Sequence, residues 1–138
     1  MTFPLAGARE SVARVRVRYA ETDKMGVVYY ANYLVWFEVG RCEWLRSTGN
    51  SYERLEAAGT ILPVIEVRCE YRRPLRYDDE VEIRARATLL SAARVRFDYE
   101  ILMVGAAEPS ASGWTEHCGV DAEGRPRRLP QVLRRLFE

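Results

Sequence analysis

The chain has 138 residues, 48% apolar and 30% charged, with a formal net charge of +1. That is the size and balance of one globular domain with its own core, residues 1–138, and it argues against a global pull towards nucleic acid or an anionic membrane. A lone histidine, His117, and three scattered cysteines, Cys42, Cys69 and Cys118, argue against a histidine-based zinc site, a serine–histidine triad and a disulfide framework. Free thiols, with no signal-peptide pattern and no apolar run of about 18 residues, give a cytoplasmic protein as the expectation.

Residues 1–12 have no period and read as a loose arm. Ala13 to Tyr19 alternates, with Val15, Val17 and Tyr19 on one face and Arg14, Arg16 and Arg18 on the other, the pattern of a half-buried strand. The arginine row reads as a solvated strand face rather than a nucleic-acid patch, because the net charge is balanced. A polar turn follows, Ala20 to Gly26, carrying Glu21 and Asp23. A long apolar helix then runs from Asn32, a candidate N-cap, to Gly49, a candidate C′ glycine. Tyr33, Phe37, Gly40 and Trp44 form one stripe of its 3.6-residue repeat, and Leu34, Trp36, Val39 and Leu45 widen it, so this helix needs cover on more than one side. Glycine at position 40 costs about 1 kcal/mol of helix propensity, which close approach of a neighbouring backbone would explain.

Ser51 to Ala58 reads as a short helix. Four strands follow: Leu62 to Arg72, Glu80 to Leu90, Arg94 to Val104 and Ala111 to Val120. Their inward residues include Val81, Ile83, Ala85, Ala87 and Leu89, then Val95, Phe97, Tyr99, Ile101 and Met103. His117, in the last strand, reads as a structural histidine that finds a core hydrogen bond. Residues 131–138 form a short C-terminal helix. The order strand, long helix, four strands predicts an α+β domain in which a curled, mainly antiparallel five-stranded sheet wraps a central helix.

The chemistry centres on the turn before the long helix. The first amides of a helix lack intrahelical acceptors and sit at the positive end of the macrodipole. They suit an anion or a polarised carbonyl oxygen. Asp23, a few residues upstream, supplies a carboxylate. Spacing alone leaves two readings open: carboxylate and amides converge on one reacting carbonyl, or Asp23 is a solvated turn residue and Tyr29 and Tyr30 are core aromatics.

The run E-T-D-x-x-G-V-V-Y-Y-A-N-Y (Glu21 to Tyr33), followed by W-F-E-x-x-R-x-E-W-L-R, resembles the signature of hotdog-fold acyl-CoA thioesterases of the 4-hydroxybenzoyl-CoA thioesterase family, which includes a Tol–Pal-associated bacterial branch. Leu62 to Val81 and Ala111 to Pro130 are similar to the same family. The resemblance implies a hotdog fold and hydrolysis of an acyl-CoA thioester to free acid and CoA without a metal or other cofactor. It implies that Asp23 is the nucleophile or the general base, that the Tyr30 backbone amide polarises the thioester carbonyl, and that Gly26 lets the loop pass close to the substrate. It also implies homodimers, often paired into homotetramers, with each active site at a subunit interface.

The sequence departs from the family pattern at two points. Many members of the Tol–Pal branch carry histidine where this chain has Tyr30, whereas tyrosine is found in the hydroxybenzoyl branch. The family's basic cluster for the nucleotide phosphate falls at Ser91-Ala92-Ala93, where there is no charge. Arg94 and Arg96 lie close by, and Arg125, Arg127 and Arg128 match the region of the family's other phosphate-contacting arginines. Those three are read equally well as CoA phosphate ligands and as a solvated C-terminal edge. The competing functions are a non-catalytic hotdog binder of acyl-CoA or acyl-carrier protein, an assembly protein of an envelope complex, and a thioesterase acting on acyl-carrier protein.

Overall fold

A computed structural model describes residues 9–137. Five strands, β1 (Glu10–Arg16), β2 (Val64–Tyr71), β3 (Glu80–Leu89), β4 (Arg94–Met103) and β5 (Ala111–Cys118), form one sheet in the order β1-β3-β4-β5-β2. All four pairings are antiparallel, and β1 and β2 are its edges, so the sheet is open. The long helix α1 (Asn32–Ser47) packs on one face, chiefly against β3 and β1. Two short helices complete the chain, α2 (Tyr52–Ala57) and α3 (Gln131–Leu136). Among the described residues no helix is long and apolar enough to cross a membrane.

The core follows from the two periodicities. Alternate residues of β3 (Val81, Ile83, Ala85, Ala87) and of β4 (Val95, Phe97, Tyr99, Ile101) are buried, as are Tyr33, Trp36, Phe37, Gly40, Trp44 and Leu45 of α1. The Phe37 ring stacks on Tyr99 at 4.2 Å, and Trp44 meets Phe97 edge-on at 5.6 Å. Gly40 faces the sheet at close range. A β-carbon there would lie 2.8 Å from Ile83 Cγ2, so a side chain of β3, rather than a backbone, accounts for the mid-helix glycine. The helix ends as a Schellman motif: Gly49 N–H donates to Arg46 C=O and Asn50 N–H to Leu45 C=O.

The other face carries charge. Arg14 pairs with Glu82 at 3.1 Å and Arg86 with Glu10 at 3.1 Å, while Arg96 pairs with Asp98 and lies over the Trp114 ring. Glutamates thus neutralise the arginine row of the first strand, which is a solvated strand face as expected. Such exposed pairs contribute about 0–1 kcal/mol each.

His117 is fully buried and structural. A carbonyl only accepts, so Nδ1 carries the proton donated to Leu62 C=O (2.9 Å), and Nε2 accepts from the Thr115 hydroxyl (2.8 Å). The Thr115 hydroxyl in turn accepts from Tyr99 OH at 2.7 Å.

Several expectations need correction. The first strand begins at Glu10, inside the stretch read as a loose arm, because β3 is long enough to pair Glu10 with Arg86. Residues 1–8 lie outside the described residues. That strand ends at Arg16, and Tyr19 falls in a single 3-10 turn, Tyr19–Glu21, exposed and edge-on to Tyr77. Met103 is exposed at the end of β4 rather than inward. Asn32 does not cap α1: the helix begins at Asn32 itself, and its side chain donates to the Glu21 carbonyl at 2.8 Å instead.

Candidate active site

Glu21 organises the site. Its buried carboxylate accepts from the Arg18 backbone N–H at 2.8 Å and from Trp36 Nε1 at 3.2 Å. Its carbonyl accepts from the Tyr29 N–H and from the Asn32 side chain, both at 2.8 Å. One residue therefore holds the end of the first strand, the polar loop and the start of α1 together. It thereby shapes the turn.

Between these anchors residues 22–28 fold back on themselves. Thr22 and Val28 form a bridge, and Asp23 N–H donates to Val27 C=O at 2.8 Å. The tight turn from Asp23 closes at Gly26, where Gly26 N–H reaches Asp23 C=O and φ is +83°. That left-handed conformation requires glycine, whereas nothing lies within 4 Å of a β-carbon placed there. Gly26 thus meets a conformational requirement of the turn. Val28 N–H donates to Leu75 C=O, which docks the loop on the segment after β2.

Asp23 is half-buried. Its Oδ1 accepts from Met25 N–H at 2.8 Å and Val27 N–H at 3.4 Å, while among the described residues its other oxygen has no protein partner. Asp23 and Tyr30 line one cleft of about 330 Å³, along with Met25, Val28, Tyr33, Tyr71, Arg72 and Arg73. Among the described residues neither Tyr30 N–H nor Ala31 N–H finds an acceptor, so the helix start presents unused donors. A hydrogen bond with Tyr30 raises the Tyr29 phenol above its usual pKa, with the Asp23 charge adding to the effect. Asp23 and a residue bearing an unused amide thus line one aromatic-walled cleft, a carboxylate and a donor of the kinds that acyl hydrolysis calls for.

The arginines fall elsewhere. Arg94 opens β4 and is exposed. Arg125 pairs with Asp121, and Arg127 donates to Gly59 C=O at 2.7 Å. The backbone brings this group together, since Arg127 N–H donates to Gly119 C=O and Gly119 N–H to Ala93 C=O. It gathers near the Val64 end of β2, whereas the cleft lies at the Tyr71 end, on the order of 25 Å along the strand. Within one chain these residues and Asp23 do not meet. The arginines at the cleft are Arg72, which is held by Glu70 at 2.8 Å, and Arg73. Their signal in the sequence is the R-R-P step directly after the second strand, which the fold sets beside the Asp23 loop.

An open five-stranded antiparallel sheet packed on one long helix is the hotdog architecture, and the carboxylate loop at the helix start is its candidate site. Residues 17–137 match the family model described as Thioesterase-like superfamily. The acyl-CoA thioester hydrolase YbgC of Escherichia coli is 32% identical over 119 residues, covering 86% of this chain and 89% of that one. The chloroplastic acyl-acyl carrier protein thioesterase ATL3 of Arabidopsis thaliana is 32% identical over 123 residues, 89% of this chain and 65% of that one. The crystal structure of a 1,4-dihydroxy-2-naphthoyl-CoA thioesterase from Synechocystis superposes with a TM-score of 0.86 at 25% identity, covering 94% of this chain and 96% of that one. The chain belongs to the thioesterase-like superfamily and is a thioesterase.

Proposed function

We propose that this protein hydrolyses acyl-CoA thioesters, with Asp23 as nucleophile or general base and the Tyr30 amide as the donor that polarises the thioester carbonyl. The observation that carries this reading is one cleft shared by Asp23 and by Tyr30 with its unused amide. The likeness to relatives named as acyl-CoA thioesterases supports the substrate class. A thiolate leaves readily, so a carboxylate and an oxyanion donor suffice, and the buried His117 has no part to play. Hydrolysis in ¹⁸O-labelled water under single turnover reports a nucleophilic Asp23 when water opens the acyl–aspartyl anhydride at the aspartyl carbonyl: the product acid is then unlabelled and the ¹⁸O enters the Asp23 carboxylate.

The working unit is a homodimer that pairs further into a tetramer, in the cytoplasm, where three free thiols persist. Two features support assembly. The edge strand β2 exposes Val64, Ile65, Val67 and Tyr71 on both faces, and the cleft lies at its end. Arg94, Arg125, Arg127 and Arg128, remote from Asp23 in their own chain, reach a CoA phosphate only when a second copy brings them to the cleft.

The test is Asp23→Asn assayed by thiol release on short, long and aromatic acyl-CoAs. Asparagine keeps Oδ1 for the Met25 and Val27 amides, so the loop retains its shape. A loss of about 10²-fold or more is expected, the scale for removing a positioned catalytic group. Turnover within several-fold of wild type in the folded variant defeats the assignment.

The likeness to an acyl-carrier-protein thioesterase favours one second reading, in which the acyl group arrives on a carrier protein. Charge reversal at Arg125, Arg127 and Arg128 then slows carrier-bound substrates more than CoA esters.

A further inference from the structure

Tyr71, the last residue of the edge strand β2, reaches across to the start of α1. Its phenol donates to Tyr30 C=O at 2.9 Å, bridging 41 positions of sequence. Its ring stands edge-to-face on Tyr33 at 5.0 Å and on Tyr30 at 6.4 Å. Burial and the neighbouring Cys69 thiol raise the phenol above its usual pKa, so it stays a protonated donor through neutral and mildly alkaline pH.

The carbonyl it holds is in a particular place. Peptide groups are planar, so fixing a C=O fixes the N–H of the same unit. The Tyr30 N–H shares its plane with Tyr29 C=O, which accepts from Asn32 N–H at 2.9 Å. The next plane, Tyr30 C=O with Ala31 N–H, would otherwise rest only on a long 3.4 Å contact from Tyr33 N–H. Tyr71 supplies the short bond there. Both carbonyls flanking the Tyr30 amide are then pinned, one from within the helix start and one from the sheet edge. Glycine or proline does not stiffen this turn; the restraint is tertiary.

We infer that Tyr71 is a positioning residue for hydrolysis: its hydroxyl fixes the first turn of α1 so that the Tyr30 amide meets the developing oxyanion. The inference rests on the thioesterase mechanism proposed above, and it ties that mechanism to the edge strand. An oxyanion donor acts only where the charge develops, so slack in its position is felt in the transition state and not in ground-state binding.

The test is Tyr71→Phe, which removes one oxygen and leaves the ring packing. For acyl-CoA hydrolysis, kcat falls roughly three- to tenfold, the scale of one neutral hydrogen bond, while KM holds and the protein stays folded. Amide hydrogen exchange at Tyr33, whose N–H shares the Tyr30 carbonyl, speeds up by a similar factor while the strand amides of β3 and β4 stay as in wild type. An unchanged kcat in an active protein overturns the inference. So does an unchanged exchange rate at Tyr33, and that arm needs no substrate. A rise in KM with kcat intact also overturns it, since that marks a binding role. A wild-type protein inactive on every thioester sinks the mechanism instead, and the exchange arm still decides whether the strut exists.

Discussion

Trp36 donates its indole N–H to the buried Glu21 carboxylate at 3.2 Å, tying the second turn of α1 to the loop that carries Asp23. A helix interior and a catalytic loop are thus joined through one acid. Replacing Glu21 by alanine leaves the Trp36 indole and the Arg18 amide without their acceptor. Denaturant unfolding should show a loss of about 1–3 kcal/mol, the cost of stranding buried donors. Thiol release should fall as well: the Tyr29 and Asn32 anchors use the Glu21 backbone carbonyl and survive the change, but the turn that carries it loses its side-chain tie to α1. Wild-type stability in Glu21→Ala contradicts this account.

The helix–sheet contact at Gly40 gives a second prediction. Gly40→Ala gains about 1 kcal/mol of helix propensity, yet its methyl would lie 2.8 Å from Ile83 Cγ2. Overpacking of this kind costs about 1–3 kcal/mol, so the net change is destabilising or near zero in spite of the better helix former. A double-mutant cycle with Ile83→Ala checks the cause: the second change should cost less in the alanine-40 background than in wild type.

Acid stability follows from His117. Burial depresses its pKa to about 4, from 6.5, so the folded protein keeps it neutral while the unfolded chain protonates it below about pH 6.5. The unfolded state then binds more protons, and stability falls as the pH drops from about 6.5 towards 4. The loss over that window is on the order of 3 kcal/mol. Glu100, raised by burial, titrates with the opposite sense, so the comparison to make is between wild type and His117→Gln across pH. The slope in that window should be shallower in the variant.

Assembly is tested on the edge strand. Val67 is 43% exposed in the single chain and lies within β2. Val67→Lys should shift the sedimentation of the protein from dimer or larger towards monomer and reduce thiol release in proportion. A monomeric wild type that remains fully active contradicts the proposed dimeric site.

The sequence was most informative where a period meets a single buried face. The stripe of Tyr33, Phe37, Gly40 and Trp44 marked the helix, and Val81, Ile83 and Ala85 marked a strand buried against it. It was least informative where long-range contacts decide. Asn32 looks like a cap from its neighbours, but Glu21, brought in by the fold, offers its side chain a better acceptor. Ile65, Val67 and Tyr71 alternate like core residues, yet they lie on an edge that this chain leaves open. That Asp23 and Tyr30 lie near one another was legible, because they stand seven positions apart across one turn. The nearness of Tyr71, Arg72 and Arg73 was not, because only the sheet brings them to that cleft.

The strand order also sets a schedule. Neighbouring hairpins link β3, β4 and β5, but β1 waits for β3, with Glu10 opposite Arg86. Helix α1 packs chiefly on those same two strands. During synthesis the segment bearing the Asp23 loop therefore emerges from the ribosome well before the surface that will cover it. Closing that long loop costs more chain entropy than closing the β3–β4 hairpin.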